Sequence, residues 1–147
     1  MNLKECVDRG FLVEEKVDER LIHKELEECI YDFAQAERAF QEKDYKWCII
    51  KCYYSMFHSG KAVCFQLGYR EKKHVAVLIV LEELYKKGKL QGDFVNYFKA
   101  AIDSREGADY QYTYSKEIAA HTITIASKFN TKIKELIKQL ILYTKNA

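Results

Sequence analysis

YKWCIIKCYYSMFHSGKAVCFQL, residues 45–67, carries Trp47, Ile49, Ile50, Tyr53, Tyr54, Met56, Phe57, Val63 and Phe65 around most of a helical circumference. A helix apolar on nearly every side must be wrapped by others, so this stretch predicts the central member of an all-α bundle. Its few polar residues, Lys51, Ser55, His58 and Lys61, fall at i, i+4, i+7 and i+10. They form one narrow stripe, expected to face water, a partner chain or a cleft. Asp44 is placed to cap the N-terminus, and Gly68 ends the helix.

The flanking segments obey the same periodicity. Upstream, Leu21, Ile22, Leu26, Cys29, Ile30, Phe33 and Ala36 step by threes and fours, predicting an amphipathic helix over 18–41. Only Glu42-Lys43-Asp44 separates it from the central segment, and so short a connection sets the two helices antiparallel. Downstream, residues 69–73 read as a basic loop. Val75, Leu78, Ile79, Leu81 and Leu84 then predict a third helix over 73–86, with lysines at its C-terminal end and a stop at Gly88. A fourth helix starts at Phe94 and runs through Val95, Phe98, Ala101 and Ile102 to Arg105. Ser115 is placed to cap a last helix to about residue 143, whose Ile118, Thr122, Ile125, Phe129, Ile133, Leu136 and Leu140 make a bundle seam. The chain has no proline, where ordinary usage would give about seven, which favours long unbroken helices. The expectation is an up-and-down bundle of four or five helices forming one domain, with its core over 18–142 and residues 1–17 as an N-terminal extension.

A net charge of +2 over 147 residues is too small for the broad positive field of a dedicated duplex-DNA binder. Locally the charges separate: residues 1–28 hold nine acids and five bases, and residues 128–147 hold five lysines and one glutamate. Such asymmetry can guide self-association or an anionic ligand, or simply be solvated. Five cysteines follow a charged start with no secretory signal, and no run of about 18 apolar residues occurs. The expectation is a cytoplasmic protein with reduced thiols and no membrane contact. Cys48 and Cys52 share a face at i,i+4, but without closer pairs or further ligands they read as small buried hydrophobes. Neither a metal nor a cofactor is expected.

The dense polar cluster is REGADYQY, residues 105–112. On an unbroken helix Arg105, Asp109 and Tyr112 share one face, and Tyr110 turns roughly 140° away. Tyr110, Tyr112 and Tyr114 alternate with Gln111 and Thr113, a period of two that has the chain leaving helical geometry here, and Gly107 permits an earlier break. Arg105 and Asp109 read either as an i,i+4 surface pair worth roughly 0.2–0.5 kcal/mol or as the centre of a functional site. His58, in the polar stripe, is placed to join a network facing Arg105 or to be a satisfied core histidine. His74, after Arg70, Lys72 and Lys73, is placed to help bind an anion at a helix start or to close the loop on the bundle. Tyr53 and Tyr54 read as core packing, with base stacking as the alternative. His23 and His121 have no neighbours at ligand spacing and carry no assigned role.

The central segment, from Trp47 through Tyr53-Tyr54, Phe57-His58 and Lys61-Ala62, resembles the Tyr-Tyr-Ala-x-Phe-His-x-x-x-Ala helix of the HEPN superfamily, particularly its UPF0332-type members. The downstream order is similar as well: His74 opening a helix, then Arg105-x-x-Ala108-Asp109-Tyr110 ahead of a long final helix. The resemblance spans about residues 18–142. It implies an up-and-down bundle, often a homodimer with the fourth-helix motif near a cleft between subunits. Many members are metal-independent RNA-cleaving proteins carrying Arg-x4-6-His, and some are toxins paired with small nucleotidyltransferases acting as antitoxins.

Carried onto this chain, the arginine is Arg105, and the histidine window, 110–112, reads Tyr, Gln, Tyr. Metal-free RNA cleavage needs a proton carrier near neutral pH, a role that suits histidine and not a phenol with a pKa near 10. Arg105 still suits bidentate phosphate binding, whereas a carboxylate at Asp109 repels phosphate. In the toxin branch with Arg-x4-His-x-Tyr, the last tyrosine accepts AMP from the partner transferase; here that position is Tyr112. Three readings follow. The first is a nucleotide- or RNA-binding or interaction module, the toxin-like half of a toxin–antitoxin pair, with Arg105, His58, Lys61 and His74 contacting phosphate and Tyr112 open to modification. The second is a metal-independent endoribonuclease using Arg105, with Asp109, Tyr110, His58 or His74 moving the proton. The third is a non-catalytic dimeric scaffold in which Arg105 and Asp109 form a structural salt bridge.

Overall fold

A computed structural model describes residues 1–146. Asp18 caps α2 (Glu19–Gln41) by accepting from the Arg20 N–H, and Asp44 caps α3 (Tyr45–Gln66) by accepting from the Trp47 N–H. The three-residue connection turns through Lys43, whose φ is 61°, and sends α3 back along α2. After α4 (Val75–Lys86) and α5 (Gly92–Tyr110), the Ser115 hydroxyl accepts from the Ile118 N–H at 3.1 Å and starts α6 (Lys116–Asn146). The architecture is an all-α bundle, as its periodicity predicts.

α3 is the central member, packed against α2, α4, α5 and α6. The α6 seam predicted from the sequence is buried from Thr122 through Ile125, Phe129, Ile133 and Leu136 to Leu140. The polar stripe of α3 lies along the α2–α3 seam, with Ser55 buried and Lys51, His58 and Lys61 half-buried at its edge. There the Ser55 hydroxyl donates to the Cys29 carbonyl at 2.7 Å and accepts from Asn130 Nδ2 at 2.8 Å, while Ser59 donates to Asn130 Oδ1 at 2.8 Å. Three helices are thereby pinned in one register, because a buried hydroxyl or amide left without its partner costs roughly 1–3 kcal/mol. All five cysteines are free and buried.

Residues before α2 form α1 (Leu3–Asp8) and β1 (Leu12–Glu14); β1 pairs antiparallel with β2 (Tyr69–Glu71) in the register Leu12↔Glu71, Val13↔Arg70, Glu14↔Tyr69. Residues 69–73 were expected to be a loop; in the structure the first three are a strand. Three residues are too short to show a period of two, so this ladder leaves no trace in local sequence. Cys6 and Leu12 are fully buried in the same cluster as α3. Among the described residues no helix is long and apolar enough to cross a membrane.

Candidate functional site

α3 and α5 approach where Tyr53 and Tyr54 face Arg105. The Arg105 guanidinium carbon lies 5.3 Å from the centroid of the Tyr53 ring, 5.7 Å from that of Tyr54 and 5.8 Å from that of Tyr110. One terminal nitrogen donates to the Tyr54 hydroxyl at 3.4 Å, and the same nitrogen stands 3.7 Å from Asp109 Oδ2. The side chain is 21% exposed, and its Nε is buried with no hydrogen-bond partner. Three aromatic faces hold the charge through cation–π attraction, and its donor capacity is only partly used.

Tyr53 is 3% exposed; burial first, opposed by the nearby Arg105 charge, pushes its phenol up to about 12. Its hydroxyl meets His74 Nδ1 at 3.2 Å. The His74 ring rests against Phe57, with centroids 4.2 Å apart. Loss of solvation, reinforced by the charges of Arg105 and Lys61 against that of Glu71, holds the imidazole below its ordinary value of 6.5. His74 is therefore neutral near pH 7, with Nδ1 engaged by Tyr53. Tyr53 joins His74 to Arg105, two groups 31 positions apart in sequence.

The end of α5 decides how the tyrosines are presented. The helix passes through Gly107 without a break and stops at Tyr110; Tyr112 takes a left-handed φ of 55°, and the Thr113 N–H returns to the Gly107 carbonyl at 2.8 Å. The shared helical face of Arg105, Asp109 and Tyr112 is thus not formed, since Tyr112 lies beyond the helix. Tyr110, read as turned away, has its ring beside the Arg105 charge. Tyr110, Tyr112 and Tyr114 are 67%, 75% and 45% exposed, and of the three Tyr110 lies against the guanidinium.

Two expected members of the site are elsewhere. His58 Nδ1 is 2.6 Å from Glu25 Oε2 and its Nε2 is 3.4 Å from Asp32 Oδ2; Lys61 Nζ is 3.4 Å from Glu25 and 3.2 Å from Glu71. His58 is held above its ordinary value, chiefly by the hydrogen bond to Glu25 and despite burial. Burial works to raise Glu25, but His58 and Lys61 overcome it and lower its pKa, while burial raises that of Asp32. His58 and Lys61 are thus paired with carboxylates of α2 and β2 and not with Arg105. Arg70 is likewise committed, paired with Glu15 and lying over the Phe65 ring.

Tyr53 and Tyr54 were read from the sequence as core packing. Tyr53 is buried, yet both rings also floor the Arg105 pocket. The Tyr-Tyr pair one turn before Phe57-His58 was the available signal, masked by the apolar character of the whole helix. His23 pairs with Glu27, at 3.0 Å, on the surface.

Comparison with known proteins gives a match to the family profile described as HEPN domain over residues 22–136. The chain is similar to "Putative toxin MJ0142" of Methanocaldococcus jannaschii, with 29% identity over 131 residues, or 86% of this chain and 89% of that protein. It is similar to an Archaeoglobus fulgidus "UPF0332 protein" at 28% identity, covering 71% of this chain and 85% of that protein. A third relative, "Putative toxin MJ0605" of Methanocaldococcus jannaschii, is 25% identical over 75% of this chain and 84% of its own length.

Proposed function

As the chain belongs to the HEPN family, we propose that it is a toxin-like protein that binds the phosphate of RNA or of a nucleotide at Arg105. The observation that carries this reading is a guanidinium enclosed by three tyrosine rings whose buried Nε has no acceptor. A planar cation with unused donors matches two phosphate oxygens, which then displace the 3.7 Å contact to Asp109. The exposed ring of Tyr110, against the guanidinium, supplies a stacking surface for a single-stranded base beside the bound phosphate. The toxin names of two relatives support the biological role. The test is fluorescence anisotropy of a labelled single-stranded RNA pool with wild-type protein and Arg105→Ala, the fold of each checked by circular dichroism. Binding lost in a folded Arg105→Ala supports the reading; equal binding by both overturns it.

A second reading, metal-independent endoribonuclease, is favoured by His74. With Nδ1 on Tyr53, the neutral ring leaves Nε2 to take the proton of a ribose 2′-OH. The 2′ oxygen then bonds to phosphorus as the bond from phosphorus to the 5′ oxygen breaks; that oxygen takes a proton from water and leaves as a 5′-hydroxyl, and a 2′,3′-cyclic phosphate remains. Arg105 offsets the charge on the phosphorane. In this reading Tyr110 and Asp109, both at the guanidinium, orient it and do not carry the proton. Cleavage in EDTA that disappears in His74→Ala and in Arg105→Ala supports this reading, and cleavage that survives His74→Ala excludes His74 as the base. Tyr112, the most exposed of the three tyrosines, is the proposed acceptor of a nucleotidyl group from a partner transferase. An unchanged intact mass after incubation with that transferase, ATP and Mg²⁺ would sink that assignment.

A further inference from the structure

The central helix is wrapped on all sides but one. Over residues 47–58 only Trp47, Lys51, Tyr54 and His58 are not buried, and steps of four, three and four put them in one row on the helix surface. α2 borders the row at His58, through Glu25 and Asp32, and α5 borders it at Tyr54, through Arg105. Trp47, grouped by its sequence with the apolar residues of a wrapped helix, is 47% exposed. Two turns of helix separate it from Tyr54, a rise of about 10 Å. Gly60 lies beside Phe98 and Tyr54 beside Arg105, so residue numbers rise along α5 as they fall along α3. The end of α5, with Tyr110, therefore runs toward the level of Trp47.

An aromatic ring, a cation and a second aromatic ring at i, i+4 and i+7, with a guanidinium beside the last, match the needs of a single strand of nucleic acid. Bases stack on ring faces whatever their identity, and cations between the rings take up the phosphates that join them. The Trp47 ring suits a base and not a phosphate, because the Asp44 carboxylate at the same helix end accepts from the Trp47 N–H at 3.3 Å and would repel an anion there. Lys46, with Nζ 5.9 Å from the Trp47 ring centroid, and Lys51, one turn further along α3, supply positive charge for the chain. A nucleotide whose phosphate is at Arg105 has its base within reach of Tyr54 or Tyr110. Trp47, about 10 Å beyond Tyr54 along the helix, is left for the base of a neighbouring residue. On the reading that Arg105 holds a phosphate, we propose that Trp47 is a second base-stacking site, reached only by a single-stranded chain of two or more nucleotides that crosses Lys51. The ligand of the Arg105 pocket is then an oligonucleotide and not a free nucleotide.

Trp47 is the one tryptophan of the chain, so its fluorescence reports the site directly. Full-length protein is titrated with 5′-AMP and with a 5′-phosphorylated 2′-O-methyl tetra-adenylate, which has no internal 2′-hydroxyl to attack and stays intact; calorimetry gives both affinities. The tetramer is expected to quench Trp47 and AMP to leave its emission unchanged. Trp47→Ala, its fold checked by circular dichroism, is expected to bind the tetramer about 5- to 150-fold more weakly, equivalent to about 1–3 kcal/mol for one stacked base, with AMP affinity unchanged. Trp47→Phe keeps a ring and should recover most of that loss. A tetramer that binds without altering Trp47 emission, one that binds Trp47→Ala as tightly as wild type, or quenching by AMP would each overturn the inference and leave the phosphate site at Arg105 standing. Equal binding of AMP and tetramer by wild type and Arg105→Ala would instead overturn the Arg105 reading, and this inference with it. A wild type that binds no tetramer also overturns it and leaves the exposed Trp47 to a protein partner.

Discussion

Gly60 sets the distance between α3 and α4, and therefore the place of His74. A Cβ built at Gly60 falls 2.6 Å from Val77 Cγ1 and 3.8 Å from Phe98 Cε2. The Phe98 contact is ordinary, but the Val77 contact has to open by about 1 Å to reach normal carbon–carbon separation. Val77 is fully buried and β-branched, with one strongly preferred rotamer in a helix, so the backbone of α4 has to move. Overpacking of this kind costs about 1–3 kcal/mol, and the helical preference of Ala over Gly returns about 1 kcal/mol. The stiffness of Val77 places the gross cost in the upper part of its range, so Gly60→Ala should lose about 1–2 kcal/mol and lower Tm by about 3–6 °C. Val77 lies one turn beyond His74, and the Tyr53–His74 hydrogen bond is already 3.2 Å long. A shift of α4 breaks it, and the His74 pKa, depressed by burial, moves back toward 6.5. Urea denaturation measures the first effect as a lower midpoint at constant slope, and an NMR titration of the imidazole measures the second. Val77→Ala in the same chain removes the clashing methyl and should restore part of both, with a coupling of about 0.5–3 kcal/mol. A Gly60→Ala protein as stable as the wild type, with the His74 titration unmoved, would refute the claim that this close approach positions His74.

Arg105→Met should leave the urea midpoint nearly unchanged while RNA binding is lost, because relief of an orphaned Nε, about 1–3 kcal/mol, offsets lost cation–π attraction of similar size. A fall of more than about 3 kcal/mol would mark Arg105 as the structural half of a buried ion pair. His58 has a folded pKa raised above 6.5, so its stabilisation is complete below that pH and is lost as pH rises through the folded value. The wild-type urea midpoint should therefore decline from pH 6.5 to 8 more than that of His58→Gln, and equal slopes would contradict the Glu25 pairing. In the His58→Gln protein the depressed His74 has the opposite sign, with stability present above 6.5 and lost as pH falls through its folded value. Tyr112→Gly, at a φ of 55°, should raise stability by about 0.5–1 kcal/mol in thermal melts; a loss would mean that the exposed ring packs on the chain.

The helices were legible because each records its burial locally. The three-and-four spacing of α2 and α6, the all-round apolar surface of α3, and the caps at Asp44 and Ser115 lie within a few residues of what they specify. Arg105 stood out for a similar reason, as a guanidinium ahead of a run of tyrosines on a helix that the apolar pattern had already traced. The direction in which α3 turns its polar stripe was not legible. His58 and Lys61 share a face by periodicity, but whether that face meets Arg105 or the carboxylates of α2 depends on how helices pack, which no local spacing records. The three-residue strands joining residues 12–14 to 69–71 escaped for the same reason.

The sequence by itself determined an all-α bundle and its central helix, because hydrophobic period and capping act over single turns. Only the tertiary structure decided that His74 stands with Arg105 across Tyr53, that His58 does not, and that Ile30, within the α2 stripe, is left exposed. The contacts arise from side chains brought together across 21 to 51 positions by packing at ångström scale, and a pattern of residues along one helix carries no record of what its neighbour presents.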